Sequence, residues 1–318
     1  MCPKPMKLSA LLLTLLGIIL FYFPLTAQDS IITVDKKVIT LKEVVVRSNM
    51  DVPAFIRRIQ LDTSFYRAFK NLRELNYTAL NDIRMYGKKG NEKATLQSRT
   101  RQYFNNGCRK MEVVEEKVTG DMRDSKGDWN YYTVEMYAGL FFTRDSVCNE
   151  DNSVSASELN LKNKRGIEKH KEQLKMLFFN PGRKVPGIPF IGDKINIYEE
   201  PMASLYDFEL DIMPYHGENC YVFRISMRND LKGSEKNDIV INSITTWFDQ
   251  QHMKIVGRTY DLSYDAGVYD FNVQMEVEMG QFHDLVVPTL LRYTGNWKVA
   301  LKKRETGVFT ATLFGIGN

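Results

Sequence analysis

The chain has 318 residues, of which 43% are hydrophobic, and this apolar content can bury a sizeable core without disulfide or metal support. Its 43 lysines and arginines nearly balance 39 aspartates and glutamates, and no strongly basic cluster interrupts the sequence. This balance argues against nucleic acid as a partner, and equally against electrostatic docking on anionic lipid.

Residues 1–27 have the three regions of a secretory signal peptide. Lys4 and Lys7 are basic, residues 8–25 (LSALLLTLLGIILFYFPL) are apolar, and Ala27 supplies a small residue for cleavage. The alternative is an N-terminal membrane anchor, because the apolar run is about long enough for a short span. We expect cleavage after Ala27 and export to the periplasm, where the protein could associate with the outer membrane.

The exported chain would keep three cysteines, Cys108, Cys148 and Cys220. An odd number at wide spacing is no disulfide framework, although it allows one bond. The sequence leaves open which cysteines pair, if any do.

A β-rich extension, residues 28–50, contains the short runs IITV and VITLKEVVVRS and precedes a helical segment at 51–74. Asp51 can cap that helix, Pro53 suits its first turn, and a second helix can begin near Ser64. Apolar residues recur there at three- and four-residue steps, which predicts one buried face. They are Phe55, Ile56, Ile59, Tyr66, Phe69 and Leu72.

Four β-like runs follow, at 77–87, 93–104, 110–120 and 129–142, and turn signals such as Asn105-Asn106-Gly107 separate them. We read them as a four-stranded meander. A polar loop at 144–165 leads to a second predicted helix at 165–179, which Asn180-Pro181-Gly182 ends.

From residue 194 onward, β runs with short Gly-, Asn- and Asp-rich connections predict an antiparallel meander. The most regular run is YDFNVQMEVEMG at 269–280, where apolar and polar residues alternate strictly. One face of this strand should therefore be buried and the other solvated. We expect a single α+β domain at 51–318, in which a strongly curved antiparallel sheet, a half-barrel, wraps over two amphipathic helices.

This arrangement resembles the half-barrel of the bacterial lipoprotein-carrier superfamily, which includes LolA-, LolB- and RseB-type proteins. WFDQQHMKIVGRTY followed by VYDFNVQMEVEMG looks like the hairpin series that closes such half-barrels. The ending YTGNWKVALKKRETGVFTATLFG looks like the tails of secreted, uncharacterised Bacteroidetes envelope proteins. The resemblance covers about residues 51–318, and it implies a non-enzymatic protein that binds or carries a lipid-like ligand.

No catalytic or metal-binding motif is found in the sequence. The four histidines (His170, His216, His252 and His283) form no His-x-x-x-His pair and no Cys-His cluster, so we expect no metal site. Adjacent acids such as Glu115-Glu116 diverge on a strand and are expected to be solvated. We therefore predict that the protein is not an enzyme and needs no cofactor.

The loop NPGRKVPGIPFIGDK, residues 180–194, is too apolar to lie freely in water. Val185, Ile188 and Phe190 could plug the open end of the curved sheet, or form the lip of a binding groove. Trp247 and Trp297, on predicted strands, could line the same cavity, although a tryptophan in a filled core is more common. These five residues are the candidate ligand-binding site.

The sequence leaves two functions open. The first is a carrier or binding protein that holds a lipid, acyl chain or hydrophobic peptide between sheet and helices. The second is an interaction module with a filled core, which binds an outer-membrane or other envelope protein and no small molecule.

Overall fold

The computed structural model describes residues 30–34, 37–44, 52–150, 177, 182, 184, 191–265, 269–299 and 303–317. The predicted signal peptide and its cleavage site lie outside these residues. So does the helix predicted at 165–179, except for Leu177, which is buried.

The described strands form one sheet of thirteen members, and all neighbours run antiparallel except β2 and β7. The large antiparallel sheet expected from the sequence is therefore confirmed. The first six strands are β1 (Ser30–Val34), β2 (Lys37–Val44), β3 (Asn76–Tyr86), β4 (Glu92–Asn105), β5 (Cys108–Gly120) and β6 (Ser146–Cys148). The others are β7 (Tyr206–Tyr215), β8 (Glu218–Met227), β9 (Ile241–Asp249), β10 (Ile255–Asp265), β11 (Tyr269–Phe282), β12 (Leu285–Val299) and β13 (Glu305–Gly317).

The order of strands across the sheet is β1-β2-β7-β8-β9-β10-β11-β12-β13-β3-β4-β5-β6. The C-terminal meander β7–β13 thus joins the earlier meander β3–β5 through the pairing of β13 with β3. The two strands of the N-terminal extension continue the sheet beyond β7, because β2 pairs with β7 in parallel.

Four α-helices occur in the described part of the chain: α1 (Val52–Leu61), α2 (Ser64–Asn71), α3 (Tyr132–Phe141) and α4 (Ser234–Asn237). The helical segment predicted at 51–74 is confirmed as α1, α2 and a 3-10 turn at Leu72–Glu74. The Asp62 carboxylate accepts the backbone N–H of Ser64 at 2.9 Å, where α2 begins. None of the described helices is long and apolar enough to cross a membrane.

The prediction of a fourth strand at 129–142 in the first meander is wrong, because the middle of this run forms helix α3. Val134, Tyr137 and Phe141 are buried at helical spacing on one side of this helix. Its first turn is held by Glu305 of β13, whose carboxylate accepts the N–H groups of Tyr132 and Thr133 at 2.9 Å each. The aromatic and β-branched residues favour a strand locally. A cap from a residue more than 170 positions away stabilises the helix instead.

One face of the sheet, the inner face, carries the core. On β11 the predicted alternation is confirmed: Phe271, Val273, Met275 and Val277 are buried, and the polar residues between them are half-buried or exposed. Helices cover this face. Phe55 of α1 lies 5.6 Å from Phe223 of β8, Phe69 of α2 lies 6.2 Å from Phe141 of α3, and Tyr137 of α3 lies 5.3 Å from Phe309 of β13.

Candidate binding groove

An open groove of about 750 Å³ lies between α3 and the inner face of β4 and β5. This volume is within the range of about 300–1,000 Å³ that is typical of small-molecule sites. In the order of strands, β4 and β5 lie near the opposite edge of the sheet from β7.

The floor of the groove is set by the register of β4 and β5. Val113 of β5 pairs with Thr100, and Glu116 pairs with Ser98, which places both β5 residues on the inner face. Val114 is an extra residue between these pairs, so β5 has a bulge there. Val113 is 56% exposed although it lies on the inner face, because the groove leaves it uncovered.

Beneath the groove, a buried polar network connects the floor to α3. The side-chain amide of Asn81 donates to Ser98 Oγ at 3.2 Å and to Thr100 Oγ1 at 3.4 Å. The Tyr137 hydroxyl donates to Asn81 Oδ1 at 2.9 Å. Burial raises the pKa of Tyr137 well above its ordinary value, so the phenol stays neutral and keeps this donor role. The network fixes the distance between the helical wall and the floor.

The wall is the side of α3 that carries Glu135, Met136, Ala138 and Gly139, followed by Phe142 and Thr143. Phe141 on the other side of the helix packs on Tyr137 at 4.8 Å and on Phe69 at 6.2 Å. Together with the Glu305 cap, these contacts hold α3 at both ends, so the wall is preformed.

The mouth of the groove has an aromatic and charged rim. The Arg123 guanidinium lies 3.6 Å from the centre of the Trp129 ring, and it lies 3.7 Å from the Glu116 carboxylate. Trp129 in turn stacks on Phe142 at 6.3 Å. A cation on an aromatic face beside a carboxylate can meet the polar end of a ligand, while the rings cover its apolar part.

A disulfide between Cys108 and Cys148 attaches β6 to the start of β5. This is the pairing that the sequence left open, and Cys220 is free and buried. Beside it, Glu150 pairs with Arg109, and it lies 3.4 Å from Arg73. Desolvation alone would raise the pKa of Glu150, but the hydrogen bond from Arg109 and the nearby positive charges hold it below its ordinary value. Arg109 also donates to Thr143, a groove residue, at 2.6 Å.

The five ligand-binding residues predicted from the sequence do not form one cluster in the described part of the structure. Val185, Ile188 and Phe190 lie outside the described residues. Trp297 is on the inner face, 5% exposed, 5.0 Å from the Phe271 ring. Trp247 is on the opposite face, because its neighbours Thr246 and Phe248 point inward, and it stacks on Tyr215 at 4.8 Å. The structure does not bring the two tryptophans together, and neither lines the groove.

The groove residues were not identified from the sequence. One signal was present: in the run at 110–120, Val113 and Val114 stand side by side where alternation would require a polar residue. Such a break indicates a bulge. No sequence signal near this run shows that residues 132–141 pack against β5 as a helix, because their own pattern predicts a strand.

The groove contains Glu116, Asp128 and Glu135, and opposite charges on Arg123 and Arg144. Arg144 lies 3.9 Å from Asp128 in an exposed ion pair. Across the residues that the structure describes, no three His, Cys, Asp or Glu side chains are arranged to hold a metal ion.

No protein-family model matches the sequence, and no curated protein matches it. Several solved structures are similar, and for three of them the alignment covers 81% of this chain and 92% of the other. A LolA superfamily protein from Nitrosomonas europaea is 10% identical, with a TM-score of 0.23. A DUF1329 family protein from Desulfovibrio piger is 10% identical, with a TM-score of 0.25. A domain described as an outer membrane lipoprotein-sorting protein, from Vibrio parahaemolyticus, is 8% identical, with a TM-score of 0.28.

The resemblance to the LolA superfamily expected from the sequence is therefore also found by structure comparison. TM-scores this low do not support an inference about function. Any function must therefore be inferred from this chain's own residues.

Proposed function

We propose that this is a non-enzymatic binding protein of the bacterial envelope, which holds an amphipathic lipid-like ligand in the groove between α3 and β4–β5. The observation that carries the proposal is the 56% exposure of Val113 on the inner face of the sheet. An inner-face valine in a preformed groove gives an apolar ligand surface to cover. Export to the periplasm, with association at the outer membrane, is the location that this function requires.

The chemistry of the groove supports a ligand with one apolar and one polar end. Met111, Val113 and Phe142 supply apolar surface, and methionine adapts to chains of different shape. Arg123 on Trp129 supplies a cation at the rim, and the hydroxyl groups of Ser98 and Thr100 line the floor. An acyl chain with a polar head group satisfies both ends.

The finer architecture belongs to the same proposal. Helices α1 to α3 pack on one face of the sheet from β8 to β13, which supports a sheet that curves around them as a half-barrel. In such a sheet, the loop with Val185, Ile188 and Phe190 would plug the open end or form the lip of a binding groove. Phe190→Asp separates these alternatives, because a lip predicts weaker acyl-probe binding with little change in melting temperature, and a plug predicts a loss of stability.

The second candidate, an interaction module for an envelope protein, is favoured by a different observation. On the central strands β10 and β11 the inner face is filled, with Leu262, Val273 and Val277 fully buried. A protein of this kind would bind no small molecule. The two candidates therefore differ in whether the groove beside α3 is occupied by a ligand.

The test is a matched pair of variants on β5, with Val113→Asp in the groove and Val114→Asp on the neighbouring bulge residue. We expect Val113→Asp to weaken binding of a fluorescent fatty acid about 10-fold, because burying a valine contributes about 1.5 kcal/mol or more and 1.4 kcal/mol is tenfold in affinity. Val114→Asp should bind normally, since Val114 does not line the groove. Both should melt near the wild-type temperature, because both valines are exposed.

Delipidated wild-type protein that takes up no acyl probe would contradict the carrier function. Native mass spectrometry of protein purified from its own envelope provides a second measurement. Co-purifying lipid supports the first candidate, and its absence together with a co-purifying protein supports the second.

A further inference from the structure

One end of the groove beside α3 is marked by an arginine that joins its floor to its wall. Arg109 lies on the inner face of β5, two residues before Met111, which lines the groove. Its Nη1 donates to Thr143 Oγ1 at 2.6 Å, and Thr143 belongs to the wall. The Arg109 side chain is only 11% exposed, so water and salt screen its charge less than that of a surface arginine. A ligand that lies along β5 therefore meets this guanidinium group at the Met111 end.

A second arginine approaches the same place from the turn that follows α2. Arg73 Nη1 lies 3.4 Å from Oε1 of Glu150, and this carboxylate also accepts hydrogen bonds from Nε and Nη2 of Arg109. Among the residues that the structure describes, Glu150 is the one carboxylate that pairs with either arginine. Two guanidinium groups thus share one carboxylate. They offer more N–H donors than its two oxygens can accept, and one positive charge is left in excess.

The contacts of Glu150 show which chemical group the arginines accept. Its two oxygens meet Nε and Nη2 of Arg109, which is the bidentate arrangement in which guanidinium groups bind carboxylates and phosphates. Burial raises the pKa of the nearby Tyr77, and the charges of Arg109 and Arg73 lower it in part. The Tyr77 phenol is therefore neutral and lies within the field of both arginines. Glu150 is a carboxylate of the chain itself in a place built for an anion.

The rim, at the Glu116 end of the groove, has a different charge balance. Arg123 lies 3.7 Å from the Glu116 carboxylate, and Arg144 lies 3.9 Å from Asp128. Each of these arginines has a carboxylate of its own, and Glu135 adds a third acid to the lining of the groove. A negative charge on a ligand is therefore stabilised more beside Arg73 and Arg109 than at the rim.

We propose that the groove takes a single-chain amphipath with an anionic head group, a carboxylate or a phosphate, which binds Arg73 and Arg109 in competition with Glu150. This inference rests on the proposed function and names the class of its ligand. The apolar chain lies along Met111 and Val113 towards Trp129 at the rim. Exchange of the Glu150 carboxylate for the head group keeps both guanidinium groups paired, so no partly buried charge is left without a partner.

The test compares a fluorescent fatty acid with the fatty alcohol of the same chain and fluorophore, each titrated into the delipidated full-length protein. Wild-type protein should bind the acid about 10-fold more tightly, because hydrogen bonds to charged groups are the stronger ones. Arg73→Gln should reduce this ratio to about 3-fold or less, and Arg73→Lys should retain most of it. Glu150→Gln removes the competing carboxylate, so it should tighten binding of the acid about 3-fold or more and leave binding of the alcohol unchanged. The two glutamine variants break the same ion pair, so a purely structural role would shift binding of the acid in the same direction in both.

Arg84→Gln, which alters an ion pair with Asp82 on the outer face of β3, is the matched control and should leave both affinities unchanged. An alkyl phosphate of the same chain length distinguishes the two sources of negative charge, and tighter binding of it or of the acid than of the alcohol supports the proposal. Equal affinities for acid and alcohol overturn it. Weaker binding of the acid by Glu150→Gln, or a ratio that falls in Arg123→Gln and not in Arg73→Gln, overturns it as well. Wild-type protein that binds neither probe contradicts the proposed function itself, whereas equal binding of both removes only the head-group assignment.

Discussion

The inner face of the sheet is filled on the central strands and open near one edge. Val273 and Val277 of the central strand β11 are fully buried. Beside α3, Val113 of β5 lies on the same face and is 56% exposed. Pairing with the neighbouring strands assigns a face to the residues of both strands, yet the inner face is covered only at β11. Strand pairing therefore specifies the face to which each side chain points, whereas the burial of that side chain depends on which other element packs on the face.

The largest expected effect comes from placing the same charge in the filled part and in the open part of the inner face. Met275→Lys should cost about 4 kcal/mol of unfolding free energy, because it buries an unpaired ammonium group in the filled region. Val113→Lys should change it by about 0.5 kcal/mol or less, because the side chain can stay in solvent. Urea denaturation measures both. Asn272→Lys, an exposed position next to the buried row, is the control, and equal losses for Met275→Lys and Val113→Lys would show that the two parts do not differ.

Removal of the disulfide tests whether this bond stabilises the groove between α3 and β5. Replacing Cys108 and Cys148 together by serine should cost about 3 kcal/mol, because the bond closes a loop with a sequence separation of 40 that contains β5 and α3. Hydrogen exchange should accelerate in α3 and stay slow in α2, which lies outside the loop. Reductant should destabilise the wild type and leave the double variant unchanged. A uniform acceleration over both helices would mean that the bond does not act on the groove in particular.

A change in the Glu305 cap tests whether the helix that forms the groove wall depends on β13. Glu305→Gln should cost about 1 kcal/mol, since it weakens charge-assisted hydrogen bonds to the N–H groups of Tyr132 and Thr133. The loss should be seen as faster amide exchange in the first turn of α3. Lys303→Gln, an exposed change two residues away, is the matched control and should leave that exchange rate as it is.

The smallest expected effect concerns the ion pair beside the disulfide. The pKa of Glu150 is held below its ordinary value of 4.5 by the hydrogen bond from Arg109 and by Arg73, against a desolvation effect that raises it. A carboxyl group with a lowered folded-state pKa stabilises the fold above its ordinary value, and this stability is lost as pH falls through the folded-state pKa. Glu150→Gln should therefore be less stable than wild type at pH 7, and the difference should shrink as pH falls below 4.5. A difference that is constant from pH 7 to pH 3 would contradict this assignment.

Much of the fold could be predicted from the sequence where the pattern is local. The alternation in β11 gave the buried row from Phe271 to Val277, and the spacing of Phe55, Ile59 and Phe69 gave the helical face that packs on the sheet. These features depend on periods of two and of about 3.6, which any strand or helix must follow. The pairing of β2 with β7 has no such signature, because parallel strands far apart in sequence carry no turn signal between them.

The groove was harder to predict than the fold. The segment that forms α3 contains Tyr132, Thr133 and Val134, which favour a strand, and its helix depends on Glu305 at the other end of the chain. Trp297 is a core residue, and Trp247 lies on the outer face. The sequence points to aromatic side chains and an apolar loop, whereas the open inner-face surface in the described part of the structure is a valine beside a bulge.

The position of β13 has a consequence for the order of folding. It is the last of the described strands, it joins the C-terminal meander to β3, and it supplies the Glu305 that begins α3. A chain that emerges from its N-terminus first can therefore form the hairpins of β3, β4 and β5 early, but its groove wall must wait until Glu305 has emerged. Contacts of such long sequence separation are slow to form. We expect the half-emerged chain to expose the edge of β3 that β13 later covers, and hence to be the form most in need of a chaperone.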